Sequence, residues 1–221
     1  MMNITRLLSS AAGAAALALM TGCVGPTAHI SGQPNPVAYR PHNPDKVSVK
    51  VSLSKEQVYV MEGDRPLLVC ATTVGLPGKP TPVGTFRVID KIPNKRSASY
   101  GFYKSGDSVV PGEAGKGSGS YIGYPMPYWV EFKPEYGFHQ GYVWPIPHTH
   151  GCLRLHKNTA AKFYALVKVG TPVNIAVHQP EDETIGKNVA RPTDYNDPDP
   201  DPHYMISPQV FSKPEGPLLQ D

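Results

Sequence analysis

Cys152 lies in His148-Thr149-His150-Gly151-Cys152-Leu153-Arg154, a stretch whose residue types and spacing fit covalent chemistry. An imidazole can take a thiol proton, and a nearby Arg favours the thiolate. A Gly before the nucleophile lets a substrate approach the backbone closely. Two other chemistries use the same residues. His148, His150 and Cys152 alternate, so on a strand they share a face and could ligate zinc, with His139 as a fourth ligand. Three alternating ligands are a weak motif, however. Cys152 could also pair with Cys70 in an oxidising compartment. Against this, Cys70 sits inside an apolar stretch, where a free Cys behaves as a small buried hydrophobe.

The flanking sequence reads as a frame of strands. Val47 to Leu53 alternates strictly and Gln57 to Met61 nearly does, which predicts two strands with one buried face each. Glu62-Gly63-Asp64-Arg65 predicts a hairpin turn, Leu67 to Val74 a central strand and Gly84 to Ile89 a fourth. Lys91 to Pro127 carries seven Gly and little apolar period between Gly101 and Gly123, which predicts an irregular, functional excursion over the sheet. Tyr128 to Phe132, the stretch ending at His139, and Pro172 to His178 return to strand alternation. One helix is expected, with Asn158 as N-cap, Phe163, Leu166 and Val167 on its apolar face and Gly170 as αL cap.

The 221 residues are 40% hydrophobic and 18% charged, with 25 Pro and 21 Gly. That composition supports one sizeable core and excludes a helical bundle or coiled coil. No apolar run reaches the roughly 18 residues of a bilayer span, which excludes a polytopic membrane protein. Residues 181–221 carry nine Asp or Glu against three Lys or Arg, a net of −6, so residues 1–180 carry +9 of the total +3. A basic domain suits nucleic acid, anionic lipid or an anionic polymer, and charge alone does not choose among them. At the start, Arg6 precedes an apolar stretch from Leu7 to Met20 and then Thr21-Gly22-Cys23, which resembles a bacterial lipobox. The resemblance implies export, cleavage before Cys23 and lipidation of its thiol; the alternative is an ordinary secretory signal with a chance Cys. Val24, in place of the Asp that resembles an inner-membrane retention signal, points to the periplasmic face of the outer membrane. The expected organisation is a signal peptide at 1–22, a flexible tether at 23–45, a mostly β domain at 46–179 and an acidic, Pro-rich disordered tail at 180–221.

Thr149-His150-Gly151-Cys152-Leu153-Arg154 resembles the signature of the L,D-transpeptidase catalytic domain family (YkuD-type): Ser or Thr, His, Gly, Cys, an apolar residue, then Asn or Arg. His139 matches the upstream His of that signature, and Thr81-Pro82-Val83-Gly84-Thr85-Phe86 resembles the segment that precedes it. Nine residues, Gln140 to His148, separate His139 from Thr149, fewer than is typical, and leave His148 as an extra imidazole nearby. The resemblance covers roughly residues 47–178 and implies a β-sandwich domain with one short helix after the catalytic motif. It implies cysteine acyl transfer on peptidoglycan stem peptides, with a thioester on Cys152, release of terminal D-alanine and passage of the acyl group to an amine. It makes His139 the general base, oriented by the carbonyl of Gln140. Gly151 and Cys152 N–H are placed to hold the oxyanion. Thr149 belongs to the same turn, and His150 is expected to order that turn. Arg154 would hold a substrate carboxylate, or else a structural ion pair. Tyr142 and Trp144 would line the donor pocket, or else pack against the loop. No cofactor, metal or nucleic acid is implied, and a monomer is expected. Two alternatives remain: a hydrolase using the same site, as an L,D-carboxypeptidase or a cleaver of crosslinks or lipoprotein attachments, and a catalytically silent wall-binding lipoprotein.

Overall fold

The computed structural model describes residues 32–214 and 216–221. The expected signal peptide, Cys23 and the first part of the tether lie outside them. Alternating Val residues form β1 (Val47–Ser52), which pairs antiparallel with β2 (Gln57–Glu62), itself paired with β3 (Arg65–Ala71) across the expected turn. With β4 (Gly84–Arg87) and the parallel partner of β1, β10 (Pro172–Ala176), they make a five-stranded sheet ordered β3-β2-β1-β10-β4. A second five-stranded sheet, ordered β6-β5-β7-β8-β9, is built from β5 (Asp90–Ser105), β6 (Ser108–Glu113), β7 (Ser120–Lys133), β8 (Tyr136–Gln140) and β9 (Leu153–Leu155). Val49, Val51, Val173 and Ile175 of the first sheet share one core with Val130, Phe132, Phe138, Leu153 and Leu155 of the second. The mostly β, two-sheet architecture is the expected one.

Helix α1 (Lys157–Leu166) packs Ala160, Phe163 and Leu166 into this core, with the Phe163 ring 4.5 Å from that of Phe138. Its N-cap is His156 rather than Asn158: the imidazole Nδ1 accepts the Asn158 N–H at 3.2 Å. It ends at the extended Val167, and Gly170, at φ +91°, serves the turn that follows.

Four expectations are corrected. The strand expected from Leu67 to Val74 is not central: β3 is an edge strand of the first sheet, its apolar residues covered by the core on one side and by flanking chain on the other. The stretch from Lys91 to Pro127 is largely regular strand, not an irregular excursion. Its glycines hid the period because two of them, Gly101 and Gly123, serve close backbone packing inside the strands, whereas Gly106 and Gly115 serve turns at positive φ. Gly101 and Gly123 face each other across β5 and β7, and a Cβ on Gly101 would lie 2.7 Å from the Gly123 Cα.

The acidic segment 180–221 is not a free tail. It lies on the first sheet and on one end of the second, so β2 is buried on both faces and Tyr59 is fully covered. Polar side chains hold it there in place of an apolar face. Asp182 accepts from Tyr59 Oη at 2.7 Å and from Ser52 Oγ at 2.8 Å, and Gln57 donates to the Gly186 carbonyl at 3.0 Å. Helix α2 (Pro202–Ile206) then brings Met205, together with Val210, onto Phe102. A low apolar content argued for disorder, but buried hydrogen bonds of this kind can order a segment that has little core of its own.

The described part of the tether, 32–45, is also anchored. Ala38 is buried in the core, Tyr39 N–H bonds the Leu67 carbonyl, and Ala38 and Arg40 bond Gln220 from the far end of the chain.

Candidate active site

Strands β8 and β9 run parallel, with Phe138 opposite Leu153 and His139 opposite Arg154. Side chains alternate across a strand, so burying Phe138, Leu153 and Leu155 in the core turns His139, Arg154 and the adjoining Cys152 to the other face. The residue singled out as base thus lies on β8 and the one singled out as nucleophile immediately before the neighbouring β9, although 13 positions separate them. His139 is 5% exposed, and its Nδ1 lies 2.8 Å from the Gln140 carbonyl oxygen. A carbonyl accepts only, so Nδ1 carries the proton and Nε2 keeps its lone pair. Burial, helped by the charge of Arg154, lowers the His139 pKa to about 4, against the Gln140 hydrogen bond. His139 is therefore an unprotonated imidazole at neutral pH.

Cys152 is half-buried, and its thiol points to the Glu135 carbonyl with Sγ at 3.6 Å. The expected surroundings were thiolate-stabilising, but the net effect is the reverse. Burial raises the Cys152 pKa above its ordinary value, outweighing a backbone hydrogen bond from Gly137 and the charge of Arg154. The resting pair is thus a thiol and a neutral imidazole. Iodoacetamide modification of Cys152 is expected to be slower at pH 7 than that of a free thiol and still rising at pH 9; a rate already level from pH 6 upward contradicts this. Cys70 does not confuse the assay, being buried with its pKa pushed up to about 12. The two cysteines are free, not joined.

The turn before the nucleophile is tied by two threonines. Thr149 Oγ1 donates to the Cys152 carbonyl at 2.6 Å and accepts the Gly151 N–H at 3.1 Å. Thr81 Oγ1 donates to the Gly151 carbonyl and accepts the Gly75 N–H, both at 3.0 Å. Gly151 sits at φ +109°, and a Cβ there would lie 2.5 Å from the Tyr136 ring. Its N–H, expected in the oxyanion hole, is taken by Thr149, whereas the Cys152 N–H takes no partner among the described residues. Thr81 was visible in the sequence only through the family segment it opens. Its bridging role depends on residues 6 and 70 positions away.

The remaining expected residues divide. Arg154 lays its stem along Gly141, where a Cβ would be 3.0 Å from the Arg Cδ, and it forms no ion pair among the described residues. His150 does not order the turn: it is exposed, rests against Tyr100 with ring centres 5.0 Å apart, and makes no hydrogen bond among the described residues. Trp144 stacks on His148 at 4.1 Å and meets Tyr195 of the C-terminal segment at 5.2 Å. Tyr142 lines a separate cavity of about 240 Å³ beside β8. His148, His150, Cys152 and His139 do not converge as metal ligands, since no cluster of three His, Cys, Asp or Glu suited to a metal occurs among the described residues.

Fold and site together define a mostly β, two-sheet domain that presents an oriented, neutral histidine on β8 and a cysteine at the start of the adjacent parallel β9. Residues 46–175, more than half of the chain, match the model of the L,D-transpeptidase catalytic domain (YkuD), and the chain belongs to that family. Similar solved structures include an L,D-transpeptidase from Mycobacterium smegmatis, at 18% identity over 59% of this chain and 58% of that one, with a TM-score of 0.46. Another, from Stackebrandtia nassauensis, is 19% identical over 65% of this chain and 60% of that one, with a TM-score of 0.45. The catalytic domain of the E. faecium L,D-transpeptidase is 23% identical over 62% of this chain and 100% of that one, with a TM-score of 0.43. This chain spans less than two thirds of the length of the first two. No curated protein matches the chain.

Proposed function

We propose that this protein is a cysteine acyltransferase that acts on peptidoglycan stem peptides. The observation that carries the reading is the pairing of His139 on β8 with Arg154 on β9: Cys152 immediately precedes Leu153, the first residue of β9, so Cys152 and His139 face the same side of the sheet, and His139 Nδ1 is fixed on the Gln140 carbonyl. His139 Nε2 takes the thiol proton as Sγ bonds to the carbonyl carbon of the third stem residue. The oxyanion meets the free Cys152 N–H, a contact that can be worth about 3 kcal/mol. Collapse breaks the amide bond, and the departing D-alanine amine leaves with the proton that His139 held. A second amine then attacks the thioester, gives a proton to His139, and frees the Cys152 thiol. Arg154, which has no carboxylate partner among the described residues, offers a bidentate site for a substrate carboxylate. The test is mass spectrometry of muropeptides incubated with the purified protein. New crosslinks support transfer to an amine, trimmed stems or cut crosslinks mean that water is the acceptor, and unchanged muropeptides defeat the reading.

The proposal places the protein at the membrane surface through lipid on Cys23, facing the periplasm from the outer membrane. Two or more acyl chains give a stable anchor where one gives only marginal binding. Cys23→Ala is expected to move the protein from the detergent-requiring membrane fraction to the soluble exported fraction. The same protein still in the membrane pellet, by fractionation and immunoblot, defeats the anchor.

A further inference from the structure

Because β3 is an edge strand, one row of its backbone groups faces away from β2. Thr72 N–H bonds the Glu56 carbonyl, so the even-numbered residues turn to β2 and the odd-numbered ones to the open edge. The fold uses that edge in two places. The Leu67 carbonyl accepts the Tyr39 N–H, and Thr73 exchanges both of its backbone hydrogen bonds with Arg154. Between these contacts the N–H and C=O of Val69 and of Ala71 face outward, and nothing among the described residues bonds them. The gap has a local cause. Counting on from the bridge of Thr73 with Arg154 puts His156 opposite Ala71, but His156 is the N-cap of α1, and there the neighbouring chain leaves the edge.

A cavity of about 380 Å³ lies along the bare stretch, with Val69 and Ala71 on its wall beside Pro36 of the N-terminal segment and Val189 of the C-terminal one. Ile185 and Asn188, also on the lining, are exposed, so the cavity opens to solvent. Its size falls in the range of ligand sites, roughly 300–1,000 Å³. Among the described residues no Asp, Glu, Lys or Arg lines it. The His on the lining, His156, has both ring nitrogens engaged, Nδ1 by the Asn158 N–H and Nε2 by Asp194. A charged ligand would find no counter-ion there and would lose its hydration. Backbone donors and acceptors repeating every second residue are matched by another extended backbone, and a bare sheet edge is a template for one.

We infer that this gap docks a short extended peptide with small, uncharged side chains, which adds to β3 as a further strand opposite Val69 and Ala71. The peptide backbone supplies the acceptors and donors that the edge lacks, and its side chains lie against Pro36 and Val189. About three residues, some 10 Å of strand, cover the stretch that the Tyr39 contact at Leu67 and the Arg154 bridge at Thr73 leave free. Neither Cys152 nor His139 lines the cavity, so this docking site does not rest on the acyl-transfer reading.

The test uses the full chain and the peptide acetyl-Ala-Val-Ala-amide, followed by calorimetric titration and amide hydrogen exchange. In the free protein the Val69 and Ala71 amides are expected to exchange faster than the bonded Thr73 amide, and to slow by at least about tenfold at saturating peptide. Two further peptides carry N-methyl groups, one on Val and the other on both Ala residues, so that in one of them the methyl groups face β3 and in the other they face away. The gap is closed at both ends, which prevents a one-residue slip that would evade the methyl groups. One methylated peptide is expected to bind about tenfold more weakly than the parent and the other to match it within about threefold. Glu or Lys in place of the central Val is expected to cost about tenfold or more. Val69→Pro deletes one outward N–H without touching the β2 ladder, and is expected to weaken the parent peptide by roughly threefold to tenfold. Should that variant not fold, the methylated pair on the wild-type protein decides the matter alone. No saturable binding of the parent peptide, equal affinity for the two methylated peptides, or Val69 and Ala71 amides already as slow as Thr73 in the free protein overturns the proposal. A chain that sediments as a dimer with these two amides protected overturns it as well, because a second copy then holds the edge.

Discussion

Cys152→Ala is expected to abolish both turnover of stem peptides and covalent capture of a carbapenem, whose acyl group resembles that of the donor. The acyl-enzyme needs a sulfur at this position, and the other described thiol, Cys70, is buried in a core strand. His139→Ala is expected to slow acylation by roughly 10² to 10⁴, the range for loss of a positioned base. With the thiol pKa raised by burial, little thiolate is present at pH 7 to react without the base. The double variant is expected to be no worse than Cys152→Ala, because residues that act as one unit are not additive. Intact-protein mass after exposure to the drug checks all three. An adduct on Cys152→Ala, or acylation at wild-type speed without His139, sinks the mechanism.

The second large effect is expected from removing residues 180–221. Truncation after Gln179 strips the cover from Tyr59, removes Asp182 from between Tyr59 and Ser52, and takes Met205 and Val210 off Phe102. Full burial of each large side chain is worth about 1.5–3 kcal/mol, so the combined loss is on the order of 5 kcal/mol. Against a total stability of roughly 5–15 kcal/mol this is a large share. The expected fall in Tm is on the order of 10–20 °C for a chain of this size. A truncated protein that melts with the full chain would show the segment to be an accessory, not part of the fold. Truncation also removes Tyr195 from Trp144 and Asp194 from His156, so the loss reaches the surroundings of β8 and β9.

The candidate nucleophile and its proposed base were readable in the sequence because the turn before Cys152 is local. A Gly at φ +109° before a Cys, and a Thr that closes the turn on itself, depend on a few consecutive residues, and the family signature records that requirement. The strands of the first sheet were readable because alternating Val, Ser and Lys face opposite environments. Tertiary structure decided what depends on distant partners. The β5 and β7 glycines are required by the close backbone of the paired strand, Ile122 and Gly123 against Gly101 and Ser97 against Gly123, so without those partners they read as loop. The polar, Pro-rich composition of the C-terminal segment argued for a free tail, but its order rests on individual hydrogen bonds to β1 and β2, more than 120 residues away. The protonation of the active pair was likewise hidden. The sequence determined that an Arg and several imidazoles surround Cys152, while the depth of burial, a property of the folded chain alone, left the thiol and His139 both uncharged.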